Sequence, residues 1–151
     1  MIIKELDFNK NRKLMTDFFY NVFTKEPWND DWSDTHQLNS YIEDLAGKTN
    51  SLCYGFFEDD IISDDTMVAL SMGSVKHWYR GTEYLIDEFC VRTDKQSRGT
   101  GTSFLNAIQK ELINKDIHKI FLLTDRQAPA FEFYKKRGFV LEDMVALHKS
   151  F

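Results

Sequence analysis

Residues 96–102 read Gln-Ser-Arg-Gly-Thr-Gly-Thr (QSRGTGT) and stand directly ahead of an apolar helical pattern. Two of the chain's seven glycines, Gly99 and Gly101, fall in this short stretch. Glycine permits positive φ and lets a backbone approach another group closely. The amides at a helix start form an anion site. The stretch therefore asks for a phosphate. It is not a dinucleotide-binding loop, because Phe104 occupies the position of the third glycine. It is not a nucleotide P-loop either, because no Gly-Lys-Ser/Thr follows.

Working outward, the segment before the loop, EYLIDEFCV (83–91), reads as a strand, and the segment after it as a helix to Asn114. Phe104, Leu105, Ile108 and Leu112 mark the inner face of that helix. Upstream, MIIKELDF predicts a short strand. Leu14, Met15, Phe18, Phe19, Val22 and Phe23 predict an amphipathic helix over 11–23. EPWNDDWSD breaks the pattern, and a second helix follows Ser33 or Asp34 as cap and ends at Gly47. SLCYGFFE and TMVALSMGSVKHW read as a hairpin across DDIISDD. Downstream, KIFLLT is a short, fully apolar strand of the kind expected at a sheet centre. Pro129 suits the first turn of a further helix and Gly138 its C-terminal cap. VLEDMVALHKSF is expected to finish as one or two strands. There are no repeats, low-complexity tracts or linkers, so one α+β domain over 1–151 is expected.

The bulk composition sets limits. With 151 residues, 42% hydrophobic and 15% aromatic, the chain is globular rather than disordered. No apolar run is long enough to cross a bilayer and the N-terminus lacks the shape of a signal peptide, so a cytoplasmic, non-membrane protein is expected. Cys53 and Cys90 sit in apolar strands and read as two free, buried thiols. The net charge of −5 argues against a nucleic-acid partner and suits a cationic small molecule. The four histidines have no second ligand at metal-binding spacing, so no metal is expected.

Gln96, Gly99 and Gly101 form a Gln/Arg-x-x-Gly-x-Gly/Ala pattern, and APAFEFYKKRGF places Ala130, Phe133, Tyr134, Gly138 and Phe139 downstream. Together they resemble the GNAT N-acetyltransferases, which hold acetyl-coenzyme A. The element order extends the resemblance over essentially all of the chain. It implies a mixed, mostly antiparallel sheet flanked by about four helices. One departure exists: Gln127 stands where the family usually has Asn, which puts that contact to the coenzyme arm in doubt. The resemblance implies that Gln96, Ser97, Arg98, Gly99, Thr100, Gly101 and Thr102 hold the pyrophosphate, with Gln127, Ala130, Phe133 and Tyr134 on the second motif. The helix dipole adds about 1 kcal/mol.

Acetyl transfer needs a neutral amine, a polarised thioester carbonyl and a proton for the leaving thiolate. An amine with a pKa of roughly 10.4 is protonated at neutral pH, so a base is required. Asp87 and Glu88 are the candidates, with Asp87 favoured. As neighbours on a strand they face opposite sides unless the strand bulges. The resemblance implies that a backbone N–H of Cys90 or Val91, worth roughly 3 kcal/mol, polarises the carbonyl. Tyr134 looks like the family's general acid. Full proton transfer from Tyr to a thiolate is uphill by about 2 kcal/mol, so a hydrogen bond to the forming thiolate is sufficient. Cys90 has no base within sequence reach, which favours direct transfer over an acetyl-enzyme.

The resemblance implies that the link between the first two helices, KEPWNDDW (25–32), shapes the acceptor side, to which HWYRGTEY (77–84), ahead of the base strand, adds further aromatics. Trp28, Asp30, Asp31, Trp32, Tyr79 and Tyr84 combine carboxylates with aromatic rings, which suits a polyamine-like or aminosugar cation. Together with the Ile-Asp setting of Asp87 they look like bacterial aminoglycoside 6'-N-acetyltransferases. An acetyltransferase for protein N-termini or lysines, or a non-catalytic acyl-coenzyme A-binding module, are the alternatives. A homodimer is compatible with the resemblance.

Overall fold

The structure is a computed structural model describing residues 1–151. It is built from strand β1 (Ile2–Leu6), helices α1 (Phe8–Phe23) and α2 (Thr35–Ala46), strands β2 (Ser51–Phe57), β3 (Met67–Trp78) and β4 (Gly81–Val91), helix α3 (Thr100–Asn114), strand β5 (Lys119–Leu122) and helix α4 (Pro129–Lys135). A single 3₁₀ turn at Thr93–Lys95 separates β4 from α3. The five strands lie in sequence order, antiparallel except for the parallel β4–β5 pair.

Local chemistry explains the helix ends. The Asp7 carboxylate accepts from Lys10 N–H at the start of α1, and Asp34, rather than Ser33, accepts from Gln37 N–H at the start of α2. Pro129 opens α4, and Gly138 follows its end at φ +86°.

The two sheet faces carry separate cores. Helices α1 and α2 cover one, where Met15, Phe18, Phe19, Leu38 and Ile42 pack on Cys53, Leu70, Met72 and Cys90. Helix α3 covers the other, where Phe104, Leu105, Ile108 and Leu112 pack on Tyr54, Phe56, Tyr84 and Ile86. No helix is long and apolar enough to cross a membrane.

Two expectations from sequence are corrected. KIFLLT forms only the four-residue β5 and lies at the sheet edge, half-buried, rather than at its centre. VLEDMVALHKSF forms no strand; it runs irregularly past a groove of about 1160 Å³ between α3, β5 and α4. Its apolar residues come as a pair, Val140–Leu141, and a run of four, Met144–Leu147, split by Glu142–Asp143. As neighbours, the two acids would put one charge on each face of a strand and interrupt both apolar rows.

The register of β3 against β4 positions the site. Met72 pairs with Glu88, but the next residue, Gly73, pairs with Ile86, so Asp87 is an extra residue in β4. Only glycine fits opposite this bulge: a Cβ on Gly73 would lie 2.1 Å from the Leu85 carbonyl oxygen. The bulge reverses the side-chain alternation of β4. Tyr84 and Ile86 belong to the α3 face, whereas Cys90, an even number of residues further on, belongs to the α1/α2 face.

Candidate active site

The pairing of β4 with β5 runs from Glu83–Lys119 to Ile86–Leu122 and stops there. Beyond the bulge, β4 continues to Val91 with that edge open. Arg92 N–H donates to Val68 O on β3, and the Val91 carbonyl accepts from Gln96 Nε2 at 2.9 Å on the other side. By strand alternation the Val91 N–H faces the open edge and the Cys90 N–H faces β3. Of the two backbone donors read from sequence, the geometry thus leaves Val91 available and corrects Cys90. The Cys90 thiol is buried, and burial pushes its pKa well above the usual thiol range.

The glycine loop lies at the end of this open edge. Gly99 adopts φ +80° with nothing within 4 Å of the place a Cβ would occupy. This left-handed residue ends the loop and begins α3. The N–H groups of Arg98, Gly99, Thr100, Gly101 and Thr102 have no acceptor in the protein. Five amides without partners, at the positive end of a 15-residue helix, fit a diphosphate. The side chains around them are largely structural. Gln96 ties the loop to β4, and Ser97 turns the chain at φ +58°. Thr100 is buried, and Gly101 lies against the Phe133 ring. Arg98 is exposed.

Helix α4 closes the other side. Phe133 and Tyr134 pack on Phe89, with ring centroids 6.0 and 6.3 Å away. Tyr134 is buried against Phe139 as well, and desolvation raises its hydroxyl pKa, with the Cys90 and Glu88 charges acting in the same direction. The sequence reading missed Arg137, which anchors α4: its Nε donates to Thr102 Oγ1 and its Nη1 to Phe133 O at 2.8 Å. Ala130 is half-buried on α4. Gln127 is exposed in the preceding turn, its N–H donating to Asp125 Oδ1.

The two carboxylates of β4 differ in setting. Asp87 is exposed at the bulge. Partial burial raises its pKa, opposed by the Lys48 charge. Glu88 is more deeply placed. Burial raises its pKa, the Tyr41 hydroxyl lowers it, and the Asp87 and Asp30 charges raise it further. Tyr41, not among the site residues expected from sequence, donates to Glu88 Oε1 at 2.6 Å. Asp30 therefore belongs with this acidic group. Asp31 does not: it is exposed and its carboxylate accepts from Ser33 N–H, which lowers its pKa.

The aromatic candidates separate too. Trp32 stacks on Tyr41 at 5.1 Å and meets Phe19 edge-on, and Trp28 leans on Phe23 while staying partly exposed. Both lie on the Glu88 side. Tyr84 is corrected: it is fully buried under α3, its hydroxyl donating to Leu52 O and paired with Ser71 Oγ. Tyr79 is corrected as well. It sits at the exposed β3–β4 hairpin tip beside Trp78 and Arg80, and the strand from Gly81 to Asp87 spans about 20 Å. No group of three His, Cys, Asp or Glu side chains is placed to hold a metal ion.

The sequence model of the acetyltransferase (GNAT) family matches residues 10–139. Among solved structures, the chain is similar to an aminoglycoside acetyltransferase from an uncultured soil metagenomic sample in complex with sisomicin: TM-score 0.70, 18% identity, covering 99% of this chain and 95% of that one. It is similar to an aminoglycoside N-acetyltransferase in complex with CoA, with a TM-score of 0.69, 12% identity and coverage of 99% and 93%. It is also similar to the ribosomal-protein-alanine N-acetyltransferase of Brucella melitensis biovar Abortus 2308, with a TM-score of 0.70, 12% identity and coverage of 99% and 98%. No protein among the curated ones matches the sequence. The chain belongs to the acetyltransferase (GNAT) family.

Proposed function

We propose, from this family membership, that the protein moves the acetyl group of acetyl-coenzyme A to a primary amine of a small cationic molecule, by direct transfer. The observation that carries the reading is the meeting of three groups at one open strand edge. These are the five unpaired amides of Arg98–Thr102, the Tyr134 hydroxyl on α4, and the bulge carboxylates Asp87 and Glu88.

The residues divide the work. The amides of the glycine loop bind the diphosphate of the coenzyme. The Val91 N–H donates to the thioester carbonyl oxygen as charge develops there. The carboxylates attract the ammonium and take a proton from it. The amine nitrogen then bonds to the acetyl carbon as the C–S bond breaks, and Tyr134 O–H donates to the departing sulfur. Of the two protons the ammonium sheds, one passes through the carboxylate to solvent and one ends on the thiol. Burial keeps Tyr134 a hydrogen-bond donor rather than a phenolate. The buried Cys90 takes no part as a nucleophile.

Asp30, Asp87 and Glu88 form an acidic group in which Lys48 is the one cation that acts on Asp87 and no cation acts on Glu88. Trp28 packs on Phe23 at the end of α1, in the same loop as Asp30. These features support a cationic acceptor.

The test is coenzyme A release by the purified protein with aminoglycosides, polyamines, amino acids and short peptides. Saturable turnover on a polycationic amine is the expected result. Acetyl-coenzyme A binding without turnover on any amine would overturn the enzymatic reading. Turnover on peptides alone would overturn the small-molecule acceptor.

A further inference from the structure

Tyr41 lies 47 residues before Glu88 and reaches it from the middle of α2. Its ring is clamped by Trp32, stacked at 5.1 Å, and by Phe19 at 5.8 Å. A ring fixed on both sides aims its hydroxyl in one direction, and that direction is Glu88 Oε1, 2.6 Å away. The distance is that of a charge-assisted O–H···O bond. Glu88 has no other hydrogen bond and no ion pair, so its second oxygen is left without a partner. Asp87, one residue earlier, has no side-chain hydrogen bond and is exposed.

We infer that Tyr41 is a positioning residue that holds Glu88 as the proton acceptor, leaving Asp87 as the counter-charge for the incoming ammonium. This inference rests on the acetyl-transfer reading above. A base must be held with one lone pair free and aimed, and the two carboxylates of the bulge meet that requirement unequally. The groups facing Glu88 are Tyr41 from α2, Asp30 from the α1–α2 loop, Asp87 and Cys90 from its own strand, and Tyr134 from α4. Tyr41 is the one among them that favours the ionised carboxylate. Without it, burial and the two neighbouring acids act unopposed.

Tyr41→Phe keeps the ring and removes the donor. The acid limb of the kcat/KM profile should move to higher pH. On the acid limb the variant should lose about tenfold in kcat/KM, and the loss should fade to within about twofold of wild type as the pH rises onto the alkaline plateau. The acetyl-coenzyme A dissociation constant, read by calorimetry, should not change. An unshifted acid limb, or the same loss at every pH, would overturn the inference. As a second variant, Glu88→Gln should lose about 100-fold in turnover; near-wild-type turnover with a large loss in Asp87→Asn would assign the base to Asp87 instead. A ¹³C titration of the Glu88 carboxyl in wild type and Tyr41→Phe reads the pair without turnover. If no amine is acetylated, the functional reading fails, and this titration alone supports or overturns the Tyr41–Glu88 coupling.

Discussion

Arg137 Nε donates to Thr102 Oγ1 across 2.7 Å, and the same guanidinium lies 3.8 Å from the centroid of the Phe133 ring. One side chain thus joins the first turn of α3, which carries the amides, to α4, which carries Tyr134. Thr102→Val removes the acceptor at nearly constant volume. Acetyl-coenzyme A should bind about 3- to 10-fold more weakly, the worth of one such hydrogen bond. Isothermal calorimetry measures this directly, and unchanged affinity would mean that the tether does not set the geometry of the loop.

Tyr134→Phe should lower turnover by about 100-fold while the acetyl-coenzyme A dissociation constant holds. The ring contacts to Phe89, Phe133 and Phe139 survive the substitution. Stopped-flow thiol release and calorimetry separate the two quantities. A weakened dissociation constant at full turnover would make Tyr134 a wall of the site rather than a proton donor to sulfur.

Gly73→Ala places a methyl group 2.1 Å from the Leu85 oxygen and 2.9 Å from the Tyr84 ring. Neither is a flexible side-chain end. The bulge must open or β3 must shift, costing about 3 kcal/mol. Urea unfolding should show the loss, with catalytic activity falling with it because Asp87 and Glu88 change their aim. A stable, active variant would show that the bulge does not depend on this glycine.

The Glu88 carboxyl has a raised pKa in the folded state, caused first by burial. A group raised on folding stabilises the fold below its unfolded pKa and loses that contribution as pH rises through the folded value. The wild type should therefore lose stability as pH climbs from about 4 through the folded pKa of Glu88. Glu88→Gln carries no charge, keeps an acceptor for Tyr41 and should flatten that part of the profile, with Tm at pH 7 higher by about 2–4 °C. Scanning calorimetry between pH 4 and 8 checks the sign; a lower Tm for the variant at pH 7 would contradict it.

The sequence carried the helices, the hairpin and the glycine loop because each is written locally, in a cap, a period or a turn. Gln96, Gly99 and Tyr134 were singled out by their places in motifs that resemble those of the GNAT family, not by local chemistry alone. Glu88 and Asp87 were readable as residues but not as a geometry, because the register that separates their roles is set by Gly73 on the neighbouring strand. A glycine inside an otherwise apolar strand was the available signal. Tyr41 and Arg137 act through single long-range contacts that no periodicity announces. Tyr84 was misassigned because its strand alternation places it under α3, where its hydroxyl is satisfied internally. The C-terminal strands were expected from composition alone, which does not supply the alternation an edge strand needs.

Because the bulge at Asp87 switches the facing of β4, the acceptor and coenzyme sides of the proposed reaction draw on different neighbourhoods of one strand. Changes in the α1–α2 loop or in α2 reach Asp87 and Glu88 without passing through the α3 loop or α4. Under the proposed function, the choice of amine can therefore drift while the apparatus that delivers the acetyl group is inherited intact.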